Sequence, residues 1–315
     1  MGENPLGRAG EGCHAVPMHP DPAPGLDAAE SFDDVAGATG TVVHTADGRL
    51  LHLHRRGAGE DLVVLEAGLG AGGSSWGALL EDPPAGARVL AYDRAGYGES
   101  TPAPGPRDLG ALVTDLLAVV DAVEHERLIL VGHSWGGPIV RGAAAQLRGR
   151  GRPVTGVVLV DPAEELADLY FTRTARAMSG VQGAVMPLLS RLGLLAPLQR
   201  AAAGSVPAPW RDAAAASVST PSAARAVRAE SRYMTAGLLG LRLDPPPPLG
   251  TAVSVLSGRR PEGLGRRMRD ELTDAHRARA EVEGGRFVAA EHSGHVIAAT
   301  EPELIAGEIV RLLER

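Results

Sequence analysis

Cysteine is rare in this sequence and lysine is absent. Cys13 is the single cysteine among 315 residues, and arginine supplies all 31 basic side chains. One cysteine excludes an internal disulfide and cannot build a cysteine-based zinc site. The formal net charge is −7 and the arginines are scattered. No concentrated positive surface for a nucleic acid or an anionic membrane is therefore expected.

Long apolar runs are also missing. No run approaches the ~18 residues that span a bilayer, and the N-terminus lacks the apolar core of a signal peptide. These absences predict a soluble, cytoplasmic protein. Residues 1–36 are rich in proline, glycine, alanine and acidic residues without an apolar period. They predict a flexible tail, because so little apolar surface cannot offset the entropy of ordering the chain.

Alternating and continuous apolar runs dominate the rest of the chain. TVVHTADGRLLHLH alternates on both sides of Asp47-Gly48, a pattern that predicts a hairpin with a type I′ turn. Short apolar runs follow, in the order LVVLE, RVLAYD, RLILVG, VTGVVLV, TAVSVLS and RFVAAE. Such runs are typical of strands buried on both faces. Apolar residues at helical spacing lie between the second and third runs, from Leu109 to Val123. The predicted fold class is α/β: a doubly wound, mostly parallel sheet preceded by an antiparallel hairpin.

Residues 162–248 interrupt this rhythm with helical patterns divided by proline and glycine, and they end in four prolines. They predict a helical insertion above a core formed by 37–161 and 249–315. Its leucines could line a substrate pocket or form the core of the insertion itself: Leu188, Leu189, Leu192, Leu194 and Leu195.

The glycine-rich stretch after the first buried strand fits two chemistries. Gly68, Gly70 and Gly73 satisfy G-x-G-x-x-G, and Asp93 ends the next strand, as in a dinucleotide site. A dinucleotide site needs a helix that opens at the glycines. Here the loop continues through Ser75, so a helix can begin only near Trp76. This favours the second interpretation, a loop whose backbone amides surround an oxyanion.

Ser134 is the candidate nucleophile, because it stands where a strand is predicted to turn sharply into a helix. Gly132-His133-Ser134-Trp135-Gly136 matches G-x-S-x-G and lies between the run RLILV and a helical pattern. Small residues two positions on either side of the serine permit the sharp turn, and the new helix offers an amide and its positive dipole end.

With this motif the sequence resembles the α/β-hydrolase family, in its serine-nucleophile branch with a helical lid. The resemblance runs from about Thr41 to the C-terminus and rests on five ordered motifs: EAGLG, YDRAGYGES, GHSWGG, VDPA and SGHVIAATEPELI. It implies an oxyanion hole made by the Leu69 and Trp135 amides. Many relatives carry His-Gly where this chain has Ala67-Gly68, a departure that bears on the orientation of the loop.

The resemblance also places the general base at His295, between the last apolar run and the final amphipathic helix. A base that takes the serine proton must titrate near neutral pH. His292 is the neighbouring alternative, and it does not occupy the motif position. His133 is predicted to pack against the top of the sheet.

The carboxylate that would partner His295 departs from the pattern common in the family. Most relatives carry an aspartate in the loop after the strand that follows the lid, and this chain has none in SGRRPE. Asp161, at the end of VTGVVLV, is favoured as the partner of His295 Nδ1, and Glu262 in the usual loop is the alternative. Asp161 could instead cap the first helix of the insertion.

These residues predict a serine hydrolase that cleaves an ester or related acyl bond of a small to medium, partly apolar molecule, with turnover falling below about pH 6.5. Alternatives are an acyltransferase or thioesterase, and a non-catalytic binding protein. No cofactor or metal is implied, and the oligomeric state is not predicted. His52 and His54 are predicted to be exposed on the hairpin, and the charged helix at 266–279 is predicted to be solvated.

Overall fold

The protein is built on a sheet of nine strands, seen here in a computed structural model that describes residues 31–35, 38–172, 185, 188–261 and 265–315. The strands are β1 Ser31–Val35, β2 Ala38–His44, β3 Leu50–Arg56, β4 Asp61–Glu66, β5 Ala87–Tyr92, β6 Leu128–His133, β7 Gly156–Val160, β8 Ala252–Gly258 and β9 Arg286–Ala290. Their order across the sheet is β1-β2-β3-β5-β4-β6-β7-β8-β9. Pairings from β5 through β4 to β9 are parallel, and those of β1, β2 and β3 are antiparallel. The predicted fold class is confirmed.

Helices cover both faces of this sheet. They are α1 Gly77–Glu81, α2 Leu109–Asp121, α3 Gly136–Gly149, α4 Leu195–Ala202, α5 Ala208–Ser219, α6 Pro221–Leu243, α7 Arg266–Val282, α8 Ile297–Thr300 and α9 Pro302–Leu313. Alternate residues of β4 enter opposite cores: Leu62 and Val64 pack with α2 and α3, whereas Val63 and Leu65 pack with α1 and α9. All four are fully buried, which explains why the strand reads as a continuous apolar run.

The hairpin differs from the prediction in its turn. Five residues, from Thr45 to Arg49, connect β2 and β3, and His44 pairs with Leu50. A type I′ turn needs positive φ at two successive residues, but only Gly48 has it here, at 81°. The Thr45 hydroxyl accepts the Arg49 amide at 3.0 Å and stabilises the longer loop.

The prediction of a flexible tail is wrong for residues 31–35, because Ser31–Val35 pairs with β2 as strand β1. Main-chain pairing along an edge needs no apolar period, so the sequence pattern carried no sign of it. Residues 1–30 and 36–37 lie outside the described residues.

The stretch between β7 and β8 contains the helices α4, α5 and α6 among its described residues. Thr220 caps α6 by accepting the Ala223 amide at 3.0 Å. Trp210 of α5 is fully buried against α1, since a Cβ added to Gly77 would lie 2.4 Å from the Trp210 side chain. None of the helices in the described ranges combines the length and apolar character that crossing a bilayer requires.

The leucines of this stretch differ in burial, and the structure bears only on the prediction that they form the core of the insertion. Leu195 is fully buried and packs with Leu189 and Ala224, so these residues belong to the core of the insertion. Three other leucines are largely exposed, with exposed fractions of 58% for Leu188, 61% for Leu192 and 56% for Leu194.

Candidate active site

Ser134 occupies a strained turn between β6 and α3, with φ at 53°. Its amide donates to the Val160 carbonyl at 3.0 Å, and its carbonyl accepts the amides of Gly137 and Ala163. A Cβ on Gly132 would lie 2.4 Å from the Gly136 carbonyl oxygen. The spacing of the two glycines is therefore a packing requirement of the turn, and the serine side chain remains half-buried rather than sealed in the core.

Asp161 follows β7 at the same edge of the sheet and is fully buried. His295, from the loop after β9, places its Nδ1 2.7 Å from Asp161 Oδ2. The His295 side chain is 42% exposed, so its ring lies between a buried carboxylate and open space. This is the arrangement in which a carboxylate fixes the tautomer of a histidine base.

The same carboxylate binds a second partner that the sequence analysis missed. Arg269 of α7 donates to Asp161 Oδ1 at 2.7 Å and to Oδ2 at 3.1 Å, and the Gly258 amide donates to Oδ1 at 3.0 Å. Burial raises the pKa of Asp161, but the hydrogen bond from His295 and the positive groups around it outweigh burial and hold the pKa well below its usual range. Asp161 is therefore ionised throughout the neutral range.

The prediction that residues 266–279 are solvated is wrong for one face of α7. Arg269, His276 and Arg279 are at most 4% exposed. They occupy the same helical face as Leu272 and Ala280, which are also buried. Their charges and polar atoms are matched by buried carboxylates, carbonyls and hydroxyls rather than by water.

Among the described residues, none forms a hydrogen bond with the Ser134 hydroxyl. The hydrogen bond between Ser134 and His295 is therefore not formed in this structure. The two residues are held near each other through His133, whose Nε2 lies 2.8 Å from the His295 carbonyl oxygen. The centroids of the His133 and His295 rings lie 4.8 Å apart. Burial, followed by the neighbouring His295, lowers the pKa of His133 to about 4. His133 is thus neutral, and it donates from Nε2 because its partner is a carbonyl.

The loop after β4 lies directly beside the serine. A Cβ on Gly68 would lie 3.2 Å from Ser134 Cβ. In the part of the chain that the structure describes, the Leu69 and Trp135 amides donate to no backbone or side-chain acceptor. Two amides without an acceptor next to a serine at a helix N-terminus can receive a developing negative charge.

Arg94 explains how this loop is oriented without the histidine that many relatives carry. Its guanidinium is 1% exposed and donates to the carbonyls of Ala67 at 2.6 Å and Gly68 at 2.7 Å. It also bridges Glu66 on β4 and Glu230 on α6, at 2.7 and 2.8 Å. Burial raises the pKa of Glu66 despite the nearby arginine. A buried ionic cluster thus connects the loop to the insertion.

His292 and Asp93, which the sequence analysis also considered, have hydrogen-bond partners other than Ser134, Asp161 and His295. His292 is exposed, and its backbone amide donates to the Glu301 carboxylate. Glu262 lies outside the described residues. Asp93 accepts the Gly73 amide at 2.8 Å, so it binds the glycine-rich loop itself. That loop continues as a 3-10 turn at Gly73–Trp76, and α1 begins only at Gly77, which is unlike a helix opening at the glycines of a dinucleotide site.

The prediction that His52 and His54 are exposed is wrong. They are 6% and 3% exposed and face Asp93 beneath the glycine-rich loop. Strand β3 lies inside the sheet between β2 and β5, so side chains on this face are covered by the loop and by Trp210 of α5.

Comparisons with known proteins agree with this architecture. Residues 62–308 match the sequence profile of the Alpha/beta hydrolase family. A stretch of 122 residues is 32% identical to the uncharacterized protein YqjL of Bacillus subtilis, covering 38% of this chain and 47% of that protein. Another of 95 residues is 37% identical to human epoxide hydrolase 4, covering 28% of this chain and 26% of that protein. The chain thus aligns with less than half of the length of either relative.

Solved structures share the fold over a larger part of the chain. An esterase from Exiguobacterium antarcticum superposes with a TM-score of 0.61, covering 88% of this chain and 100% of that one. Its sequence identity is 19%, so this likeness shows the fold alone.

Proposed function

The chain belongs to the alpha/beta hydrolase family, and we propose that it is a serine hydrolase that cleaves an ester or related acyl bond through an acyl-enzyme on Ser134. The observation that carries this proposal is the 2.7 Å contact between His295 Nδ1 and the buried Asp161. It supplies a histidine of fixed tautomer at the edge of the sheet where a strained serine stands.

In the first half of the reaction the Ser134 Oγ attacks the acyl carbon. His295 Nε2 accepts the hydroxyl proton, and the carbonyl oxygen becomes an oxyanion. His295 then returns the proton to the leaving alkoxide, so that the alcohol departs and the acyl group remains on Ser134. In the second half a water oxygen attacks the acyl carbon while His295 Nε2 accepts a proton from that water. The bond between Ser134 Oγ and the acyl carbon then breaks, His295 returns the proton to Ser134 Oγ, and the acid departs.

Asp161 contributes by holding the Nδ1 proton and by stabilising the imidazolium that forms in each half. The oxyanion accepts hydrogen bonds from the backbone amides of Leu69 and Trp135. Each such donor is worth about 3 kcal/mol of barrier in comparable sites, and Arg94 keeps the first of them in place by binding the two preceding carbonyls.

The similarity to an epoxide hydrolase raises a different chemistry on the same fold. Epoxide opening in this family uses a carboxylate nucleophile, and this chain carries Ser134 at that position. The contact between His295 and Asp161 also argues against a non-catalytic binding protein. Such a protein has no need of a carboxylate aligned behind a histidine.

A fluorophosphonate probe tests the proposal directly. We expect labelling of the wild type and none of Ser134→Ala, because only an activated hydroxyl attacks the phosphorus. Ser205→Ala is the matched control, since its hydroxyl is exposed on the insertion and its loss should leave labelling unchanged. Equal labelling of wild type and Ser134→Ala would refute the proposed nucleophile.

The acyl acceptor is tested on the active protein. With a p-nitrophenyl ester series, hydrolysis should exceed transfer to an added alcohol. Transfer faster than hydrolysis, or a strong preference for thioesters, would point instead to the acyltransferase or thioesterase alternative.

A further inference from the structure

Three buried side chains outside the proposed triad face one another beneath the glycine-rich loop. His52 and His54 lie on β3, two residues apart, and therefore on the same face of the strand. Asp93 follows β5, the neighbour of β3 in the sheet. The three residues are 6%, 3% and 2% exposed. The sequence shows the two histidines, and the structure adds the carboxylate.

Their separations are not those of strong hydrogen bonds. Asp93 Oδ2 lies 3.6 Å from His52 Nδ1 and 3.5 Å from His54 Nε2, whereas the His295–Asp161 pair is 2.7 Å apart in the same structure. Two ligand atoms on one tetrahedral zinc, with bonds of about 2.0–2.1 Å, stand roughly 3.3–3.5 Å apart. The two distances from Asp93 match that spacing.

The charge balance around Asp93 points the same way. This arginine-rich chain pairs most of its other buried carboxylates with guanidinium groups, as Glu66 pairs with Arg94. Asp93 has no guanidinium partner in the described ranges, and it faces His52 and His54 instead. A carboxylate that is buried without a guanidinium partner needs another source of positive charge to compensate it in a protein interior. A divalent cation would supply that compensation.

The surrounding backbone prepares the cluster. The Gly73 amide holds Asp93 Oδ1 at 2.8 Å, which directs Oδ2 toward the imidazoles as an outer-shell donor directs a metal ligand. A Cβ on Gly73 would lie 2.7 Å from His54 Cδ2, and one on Gly98 would lie 2.1 Å from Asp93 Oδ2. Glycine at both positions lets the backbone close around the two side chains.

We propose that His52, His54 and Asp93 bind one zinc ion. Ser74 Oγ lies 3.5 Å from His54 Nε2 and is buried, in position for the fourth ligand. The three primary donor atoms lie within 4.8 Å of one another, so the widest pair must close by about 1.4 Å to share a tetrahedral ion. Imidazole nitrogen with a single carboxylate is a donor set that zinc accepts.

The site is structural rather than catalytic, because every donor is buried and no ligand position opens to solvent. It would connect β3, the end of β5 and the loop that carries Leu69. Zinc should therefore raise the thermal stability of the whole protein and leave the identity of the nucleophile unaffected.

The experiment measures metal content in tag-free protein produced in zinc-supplemented medium and dialysed against a chelator. We expect about one zinc per wild-type chain, and less than a tenth of that in Asp93→Asn and His54→Gln. His44→Gln is the matched control, since His44 is exposed on the adjacent strand β2. Protein produced with cobalt should show the intense visible bands of a tetrahedral ion, lost in the same two variants.

Zinc below about 0.1 per folded wild-type chain, or equal zinc in the wild type and both variants, would overturn the proposal. If a variant fails to fold, the wild-type zinc content and the cobalt spectrum still decide. Fluorophosphonate labelling of Ser134 is read separately, so a failed metal site and a failed serine nucleophile give different results.

Discussion

Ser134 and Asp161 share a backbone conformation that no other described residue except glycine adopts, with φ at 53° and 41°. They end adjacent strands, β6 and β7, and the Ser134 amide donates to the carbonyl of Val160, immediately before Asp161. Positive φ costs a residue with a Cβ about 1–3 kcal/mol. Two such residues at one edge of the sheet mark the place where the fold gives up stability to position particular side chains.

This strain predicts a difference in stability between two variants of Ser134. Ser134→Gly and Ser134→Ala both lack the proposed nucleophile, but only alanine retains a Cβ at positive φ. We expect the glycine variant to be more stable than the alanine variant by about 1 kcal/mol, measured by urea unfolding. Equal midpoints would mean that the turn relaxes when the hydroxyl is removed.

Replacement of the acid separates stability from catalysis. Asp161→Asn should lower kcat about 10⁴-fold with little change in KM, because an amide no longer enforces the Nδ1–H tautomer; this magnitude is the one known for the chymotrypsin-type triad. It should also destabilise the fold by about 3 kcal/mol, since Arg269 is left as an unpaired buried charge.

The double variant Asp161→Asn/Arg269→Met supplies the control for that experiment. Removing both charges should restore much of the stability measured by urea unfolding, but none of the activity. Recovery of activity in the double variant would show that Asp161 matters only as the partner of Arg269.

Arg269 is also expected to set the acid limb of the pH profile. Its guanidinium withdraws negative charge from the carboxylate behind His295, so the imidazolium is less stabilised than it would be by a free aspartate. In Arg269→Met the acid limb of kcat/KM should move to higher pH. Arg267→Met, exposed on the same helix, should leave the limb in place, and a limb unmoved in both variants would assign Arg269 a structural role alone.

The lowered pKa of His133 predicts a pH-dependent stability. The unfolded histidine binds its proton near pH 6.5, whereas the folded one binds it only near pH 4. Between these values the unfolded state holds more protons, so the free energy of unfolding falls as the pH drops, by on the order of 2 kcal/mol from this residue. His133→Gln should flatten that slope in urea unfolding, and His292→Gln, at an exposed site, should not.

The sequence predicted the strand-end residues better than the groups behind them. Ser134 and Asp161 could be placed together because the carboxyl ends of parallel strands meet at one edge of a sheet. His52 and His54 were misplaced for a related reason. Alternation shows that two side chains share a face, but not whether a loop covers that face.

The buried ionic partners were hidden by their residue type. Arg269, His276 and Arg279 fall on the apolar face of α7, at helical spacing from Leu272 and Ala280. That spacing was visible in the sequence, but arginine is so seldom fully buried that a solvated face was the ordinary expectation. Only the carboxylates that meet these side chains in space explain their position.

Glu230 provides the last prediction, because it connects the insertion to the loop beside Ser134. It binds two nitrogens of Arg94, which in turn hold the carbonyls of Ala67 and Gly68. Glu230→Gln should loosen this grip and lower kcat roughly tenfold or more, since small misplacements of catalytic groups have large effects on rate. KM should change less, because the donors act on the transition state.

The fold should survive this change, because Glu66 remains as a carboxylate partner for Arg94 and ionises more readily once Glu230 is neutral. Arg228→Gln on the same helix is the matched control, since Arg228 is exposed. Steady-state kinetics on one activated ester would compare the three proteins. Unchanged kcat in Glu230→Gln would mean that Arg94 holds the loop without help from the insertion. If kcat fell equally in Arg228→Gln, the loss of activity would come from a disturbed helix rather than from the broken ion pair.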